Sequence, residues 1–167
     1  MAHKHMPFIG TYEHTIDAKN RLSIPAAIRA AMDPDREGEK FLLAPVGRTS
    51  VLSLIGNRRY SQLASFRRRN RIPTEDDLTF DRLFYGNSAT LEFDAQGRVL
   101  IPDVFLRRAG IGREVTILGV NDHVEIWDRQ EYTKFLEQQW ARFEEIQRQA
   151  MQDSSASDAQ PWPDAGN

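Results

Sequence analysis

The chain has 167 residues, 40% of them apolar and 28% charged, enough for one globular domain or two small ones packed closely together. No run approaches the roughly 18 apolar residues that a membrane span needs, and no charged-then-apolar leader opens the chain, so no membrane partner is expected. Cysteine is absent, which excludes disulfides and thiolate metal sites and fits a cytoplasmic address, while a net charge of −2 argues against nonspecific coating of nucleic acid but leaves room for a local basic face.

Residues 1–6 form a polar lead-in. His3 and His5 lack acidic or thiolate neighbours and read as solvated side chains rather than metal ligands. Pro7 to Ile16 reads as a strand, with Gly10 as a bulge. Asp17-Ala18-Lys19-Asn20 then has the chemistry of a tight turn: Asp at the first position, and at the fourth an Asn that tolerates left-handed backbone. In the strand that follows, Leu22 and Ile24 alternate with Arg21 and Ser23, so the apolar pair faces a core and Arg21 points outward. Pro25 ends that strand and suits the start of a helix over Ala26 to Met32. Asp33 to Gly38 is a surface loop. Phe41 to Ala44 and Val51 to Ile55 form a hairpin around Pro45-Val46-Gly47-Arg48.

Asn57 to Arg69 is expected to be helical, with Tyr60, Leu63, Ala64 and Phe66 on its apolar side. It carries Arg58, Arg59, Arg67, Arg68 and Arg69, with Arg71 just beyond. Two readings stand: a phosphate-binding surface, or a solvated face paired with Glu75, Asp76, Asp77 and Asp81. Thr74 to Asp77 has capping-box spacing and opens a second helix expected to bury Leu78, Leu83 and Phe84.

The first motif then returns. Asp94-Ala95-Gln96-Gly97-Arg98-Val99-Leu100-Ile101-Pro102 repeats Asp17-Ala18-Lys19-Asn20-Arg21-Leu22-Ser23-Ile24-Pro25 at a spacing of 94 − 17 = 77 residues. Each copy reads as a short hairpin running into a short helix. Val99-Leu100-Ile101 is apolar throughout, which predicts that Arg98 lies on a strand buried on both faces. Val115 to Leu118 and Val124 to Trp127 repeat the later hairpin. Asp128 to Glu131 has capping-box spacing and opens a helix to about Ala150, with a stripe of Tyr132, Phe135, Leu136, Trp140, Phe143 and Ile146. From Gln152 onward, disorder is expected.

At the two Asp-x-x-x-Arg motifs the chain resembles the MraZ family, bacterial regulators of the SpoVT-AbrB fold, over roughly residues 7–150. The fold class implied is α+β, with two tandem SpoVT-AbrB-like β-hairpin/helix repeats in a pseudo-two-fold relation. The organisation is repeat 1 at 7–56, a helical linker at 57–87, repeat 2 at 88–127, a C-terminal helix at 128–150 and a disordered tail at 151–167. The resemblance also implies a nucleoid-associated regulator that binds double-stranded promoter DNA as an octameric or dodecameric ring. Its target would be the division and cell-wall gene cluster that contains its own gene.

On that reading Arg21 and Arg98 are the principal DNA contacts, since arginine pairs bidentately with guanine O6 and N7. Lys19 and Gln96 assist, and Asp17, Asp94, Asn20 and Gly97 stabilise the turns. Asn20 departs from the glycine usual in the family's first motif and crowds that tip. No cofactor, metal or catalytic residue is expected.

Two other classes of function can be set against this one. The repeated aspartates would make a shared-proton dyad if brought together, but the small residues that cradle such carboxylates do not follow them. An oligomeric interaction protein, working through the arginine helix or acidic tail, is the alternative to DNA binding. His14 reads as a strand-surface residue and His123 as isolated.

Overall fold

The computed structural model describes residues 6–66 and 72–156. Its contacts divide the chain into one unit ending at Arg129 and a second beginning at Gln130.

In the first unit a six-stranded antiparallel sheet is made from β1 (Thr11–Thr15), β3 (Phe41–Ala44), β4 (Val51–Gly56), β5 (Ala89–Leu91), β7 (Glu114–Val120) and β8 (His123–Asp128). A separate ribbon pairs β2 (Arg21–Ser23) with β6 (Arg98–Leu100). The sheet order is β1-β7-β8-β4-β3-β5. Taking the strands of the two repeats in chain order, β1 corresponds to β5, β3 to β7 and β4 to β8, so this order is a palindrome. The ribbon obeys the same rule: Arg21 faces Leu100, Leu22 faces Val99 and Ser23 faces Arg98, a register symmetric about the Leu22–Val99 pair.

The expected hairpin across each Asp-x-x-x-Arg tip is not what forms. The strands flanking a tip go to different partners, β1 to β7 and β2 to β6, while β5 pairs with β3. The repeats therefore exchange strands. A chain that twists out of the main sheet at each tip finds its ladder partner in the other copy, which satisfies backbone groups that a three-residue strand would otherwise leave unpaired. The later hairpins, β3–β4 and β7–β8, do form within their repeats.

Leu22, Val99 and Ile101 from the ribbon region pack with Leu43, Leu54, Ile117 and Ile126 of the sheet and with Ile28 and Leu106 of the two short helices, α1 (Ala26–Ala31) and α4 (Asp103–Ala109). β4, at the sheet's centre between β8 and β3, is buried along its whole length.

Several expectations need correcting. Gly10 is not a bulge. Phe8 bridges Asn121 and Thr11 pairs with Leu118, so no residue is inserted, and Gly10 instead supplies a left-handed kink at φ 100°. Leu100 is not buried: β6 repeats the burial pattern of β2, and the apolar run deceived because Leu100 takes the outward position that Ser23 holds in the first copy.

Helices α2 (Asn57–Phe66) and α3 (Glu75–Tyr85) follow β4. The Thr74–Asp77 capping box is present, but α3 has no buried residue, and Leu83 is 63% exposed. Phe84 instead stacks between Tyr60 and Phe80 and lines an open apolar cleft of about 540 Å³ with Leu52 and Phe105. In the second unit the expected single helix is two, α5 (Arg129–Trp140) and α6 (Phe143–Ala156), and α6 extends past Gln152 into the segment expected to be disordered. Leu136, Trp140, Phe143 and Ile146 are exposed along them.

Candidate nucleic-acid interface

Each tip is stapled by its aspartate in the same way. Asp17 Oδ1 accepts from the Lys19 and Arg21 amides, both at 2.9 Å, and Oδ2 accepts from Arg21 Nε at 2.7 Å. Asp94 repeats this with the Gln96 and Arg98 amides at 2.9 Å and Arg98 Nε at 2.7 Å. Backbone bonds close the turns: Asn20 N donates to Asp17 O, and Gly97 N to Asp94 O. The fourth residue is left-handed in both, Asn20 at φ 61° and Gly97 at φ 74°. That requirement is why Asn and Gly alternate there.

The tips also hold one another. Asn20 O accepts from Ile101 N, and Gly97 O accepts from Ile24 N, positions equivalent under the repeat. Two arginines that the motif alone does not single out back the tips from behind. Arg113 Nη1 donates to Asp17 O at 2.5 Å and to Asn20 Oδ1 at 2.9 Å. Arg29 Nε donates to Ile24 O, and its guanidinium lies so close to Gly97 that a Cβ there would sit 2.6 Å from Arg29 Cζ. The signal available in the sequence was weak: Arg29 stands in the helix after the first motif, and its equivalent in the second is Leu106.

Both aspartates have their pKa held below the ordinary carboxylate value, first by the amide hydrogen bond from the arginine of the same tip; desolvation opposes this, and that arginine's side chain and the neighbouring amide add to the lowering. A proton-sharing dyad raises one of its two values, so the aspartates are turn staples and not an acid–base pair.

Nε of each guanidinium is committed to the aspartate, and the terminal Nη edge is left outside that pair. Among the described residues none accepts from the Arg21 Nη groups, and Arg98 Nη2 reaches only Gln96 Oε1 at 3.4 Å. The Arg21 and Arg98 side chains remain 34% and 27% exposed. Lys19 and Gln96 are exposed at the turns. The ribbon's outer face thus carries Arg21 and Arg98 at diagonal corners, with Ser23 and Leu100 at the other two. From strand rise and spacing the arginine Cα atoms lie about 8 Å apart.

The arginine face of α2 is used differently. Arg58 Nη1 bonds Asp35 O, and Arg59 Nη2 pairs with Asp122 Oδ2 at 2.7 Å. Glu75 pairs with Arg82, and Asp77 caps Thr74. Arg67, Arg68, Arg69 and Arg71 lie outside the described residues, as do His3 and His5.

His123 is not isolated, a correction to the sequence reading: its Nδ1 lies 2.6 Å from Asp122 Oδ1 and its Nε2 3.3 Å from Glu125 Oε1. Burial alone would lower its pKa, but the hydrogen bonds and charges of those two carboxylates outweigh it and raise the imidazole to about 9. His14, half buried on β1, has its pKa lowered by that burial.

The protein from Mycoplasmoides gallisepticum named "Transcriptional regulator MraZ" is 33% identical over 139 residues, which cover 83% of this chain and 94% of that protein. The chain belongs to the MraZ family. Its relatives of the same name from Acetivibrio thermocellus and Carboxydothermus hydrogenoformans are each 34% identical, over 77% and 83% of this chain and 85% and 93% of their own lengths. The family model described as "MraZ protein, putative antitoxin-like" matches residues 84–154, which include the second tip. The role these MraZ relatives are named for is regulatory and not enzymatic.

Proposed function

We propose that this MraZ-family chain is a sequence-specific transcriptional regulator that binds double-stranded DNA through the β2–β6 ribbon and its two tips. The observation that carries the reading is the pair of arginines on one ribbon face, each held by its aspartate through Nε with its Nη edge outside that pair. A two-stranded ribbon fits the major groove, and the Nη pair matches guanine O6 and N7. A spacing of about 8 Å is about two base-pair steps at 3.4 Å each. Lys19 supplies a phosphate contact, and Gln96 a phosphate or adenine contact.

One ribbon of three-residue strands makes few contacts, so affinity must come from several acting together. A ring-shaped homo-oligomer, octameric or dodecameric, presenting its ribbons to repeated boxes raises affinity by roughly 10²–10⁴ when the spacing matches. Exposed apolar side chains on α3 (Phe80, Leu83) and on α5 and α6 (Trp140, Phe143) support self-association. The proposed target is the promoter of the division and cell-wall gene cluster, with the protein in the cytoplasm at the nucleoid. The test is binding of the wild type, Arg21→Ala and Arg98→Ala to a fragment of the gene's own upstream region against random DNA. Selective binding by the wild type and its loss in assembled variants support the reading. Equal binding by all three overturns it.

A further inference from the structure

Leu100 is the side chain on the ribbon that the fold does not use. Val99 and Ile101 on either side of it are buried, whereas Leu100 is 58% exposed. Its equivalent in the first copy, 100 − 77 = 23, is Ser23, so the repeat itself does not demand a leucine there. A single exposed leucine is ordinary on a protein surface. This one is placed unusually. It lies directly across the ribbon from Arg21 and two residues along the same strand from Arg98, on the same face. An apolar side chain set between two cations fits a partner that is anionic overall but offers a local apolar group.

Resting on the DNA-binding reading above, we propose that Leu100 reads base sequence, packing against the C5 methyl of a thymine in the major groove beside the bases that Arg21 and Arg98 contact. That methyl is the one apolar group on the groove edge of any base pair, and it distinguishes thymine from the other three bases. The strand rise puts Leu100 about 7 Å from Arg98 along β6, about two base-pair steps, so the contact falls within the same short box. Ser23 holds the corresponding place next to Arg98 and offers a hydroxyl instead of a methyl contact. The two halves of the ribbon face therefore ask for different bases, although the backbone register is symmetric.

The experiment replaces each thymine of the bound upstream fragment in turn by deoxyuridine, which removes only the methyl, and titrates wild type, Leu100→Ala and Leu100→Ser. One position is expected to cost the wild type about fourfold in affinity, the loss for one methyl returned to water. Both variants are expected to bind thymine DNA at least that much more weakly and to show no further loss on deoxyuridine at that position. Wild-type indifference at every thymine overturns the proposal, as does an undiminished deoxyuridine effect in the variants. A change of assembly state in Leu100→Ala by light scattering, with DNA affinity per assembly unchanged, also overturns it and makes Leu100 a self-contact. Failure of the DNA-binding reading is separately visible, because the wild type would then not prefer its upstream fragment over random DNA at all.

Discussion

His123→Gln removes the titrating group at the tip of the β7–β8 hairpin without removing hydrogen-bonding capacity. In the wild type the imidazole sits between Asp122 and Glu125, and Asp122 also takes the guanidinium of Arg59 from α2, so the cluster ties the hairpin tip to that helix. Trp127 Nε1 donates to the other oxygen of Glu125 at 2.8 Å, which fixes the acceptor. A folded pKa of about 9 against an ordinary 6.5, for a side chain only 22% exposed, is worth about 2–3 kcal/mol. The folded value lies above the unfolded one. That stabilisation is therefore fully present below about pH 6.5 and lost as pH rises through about 9. Denaturant unfolding of both proteins from pH 6 to pH 10 measures it. The stability gap between wild type and variant should be widest at pH 6 and close by about 2–3 kcal/mol toward pH 10. A gap that stays constant with pH would refute the ion-pair account of His123.

Leu22→Ala should destabilise the fold by about 2–5 kcal/mol in the same unfolding assay, because Leu22 is fully buried at the ribbon's centre against Val99. A cost near zero would mean that the ribbon does not seal the core. Asp94→Asn keeps an oxygen for the Gln96 and Arg98 amides, whereas Asp94→Ala loses all three bonds, so melting temperature should fall in the order wild type, Asn, Ala. Because the folded Asp94 pKa is depressed, its contribution is present above the ordinary carboxylate range and disappears as pH falls through the folded value. Equal melting temperatures for the Asn and Ala variants would show that the amides need no staple.

Local chemistry was legible in the sequence where one residue decides it. The Asp-x-x-x-Arg repeat, the left-handed fourth residue and the Thr74 capping box all depend on neighbours within four positions, and all are present. The outward arginine at position 21 followed from simple alternation. Pairing between distant strands was not legible, because a period-2 pattern says which face is buried but not which strand lies alongside. That is why each tip read as a closed hairpin when its strands exchange partners with the other repeat. Leu100 misled for a related reason, since an apolar residue in an apolar run carries no mark of exposure. Arg113 reaches its partner only through the fold, across 93 residues of chain to Asn20. The carboxylates on His123 are by contrast its sequence neighbours, Asp122 and Glu125, and reading the histidine as isolated overlooked them.

The central claim is that Arg21 and Arg98 on the exchanged ribbon contact DNA. The most direct measurement is the affinity of wild type, Arg21→Ala and Arg98→Ala for the upstream fragment over a series of salt concentrations, with assembly of each checked by light scattering. The account predicts that wild-type affinity falls steeply with salt and exceeds that for random DNA, as expected for several phosphate contacts plus base readout. Each variant should assemble normally and lose that preference. Variants that assemble and still bind the fragment as the wild type does, with the same salt slope, would contradict it.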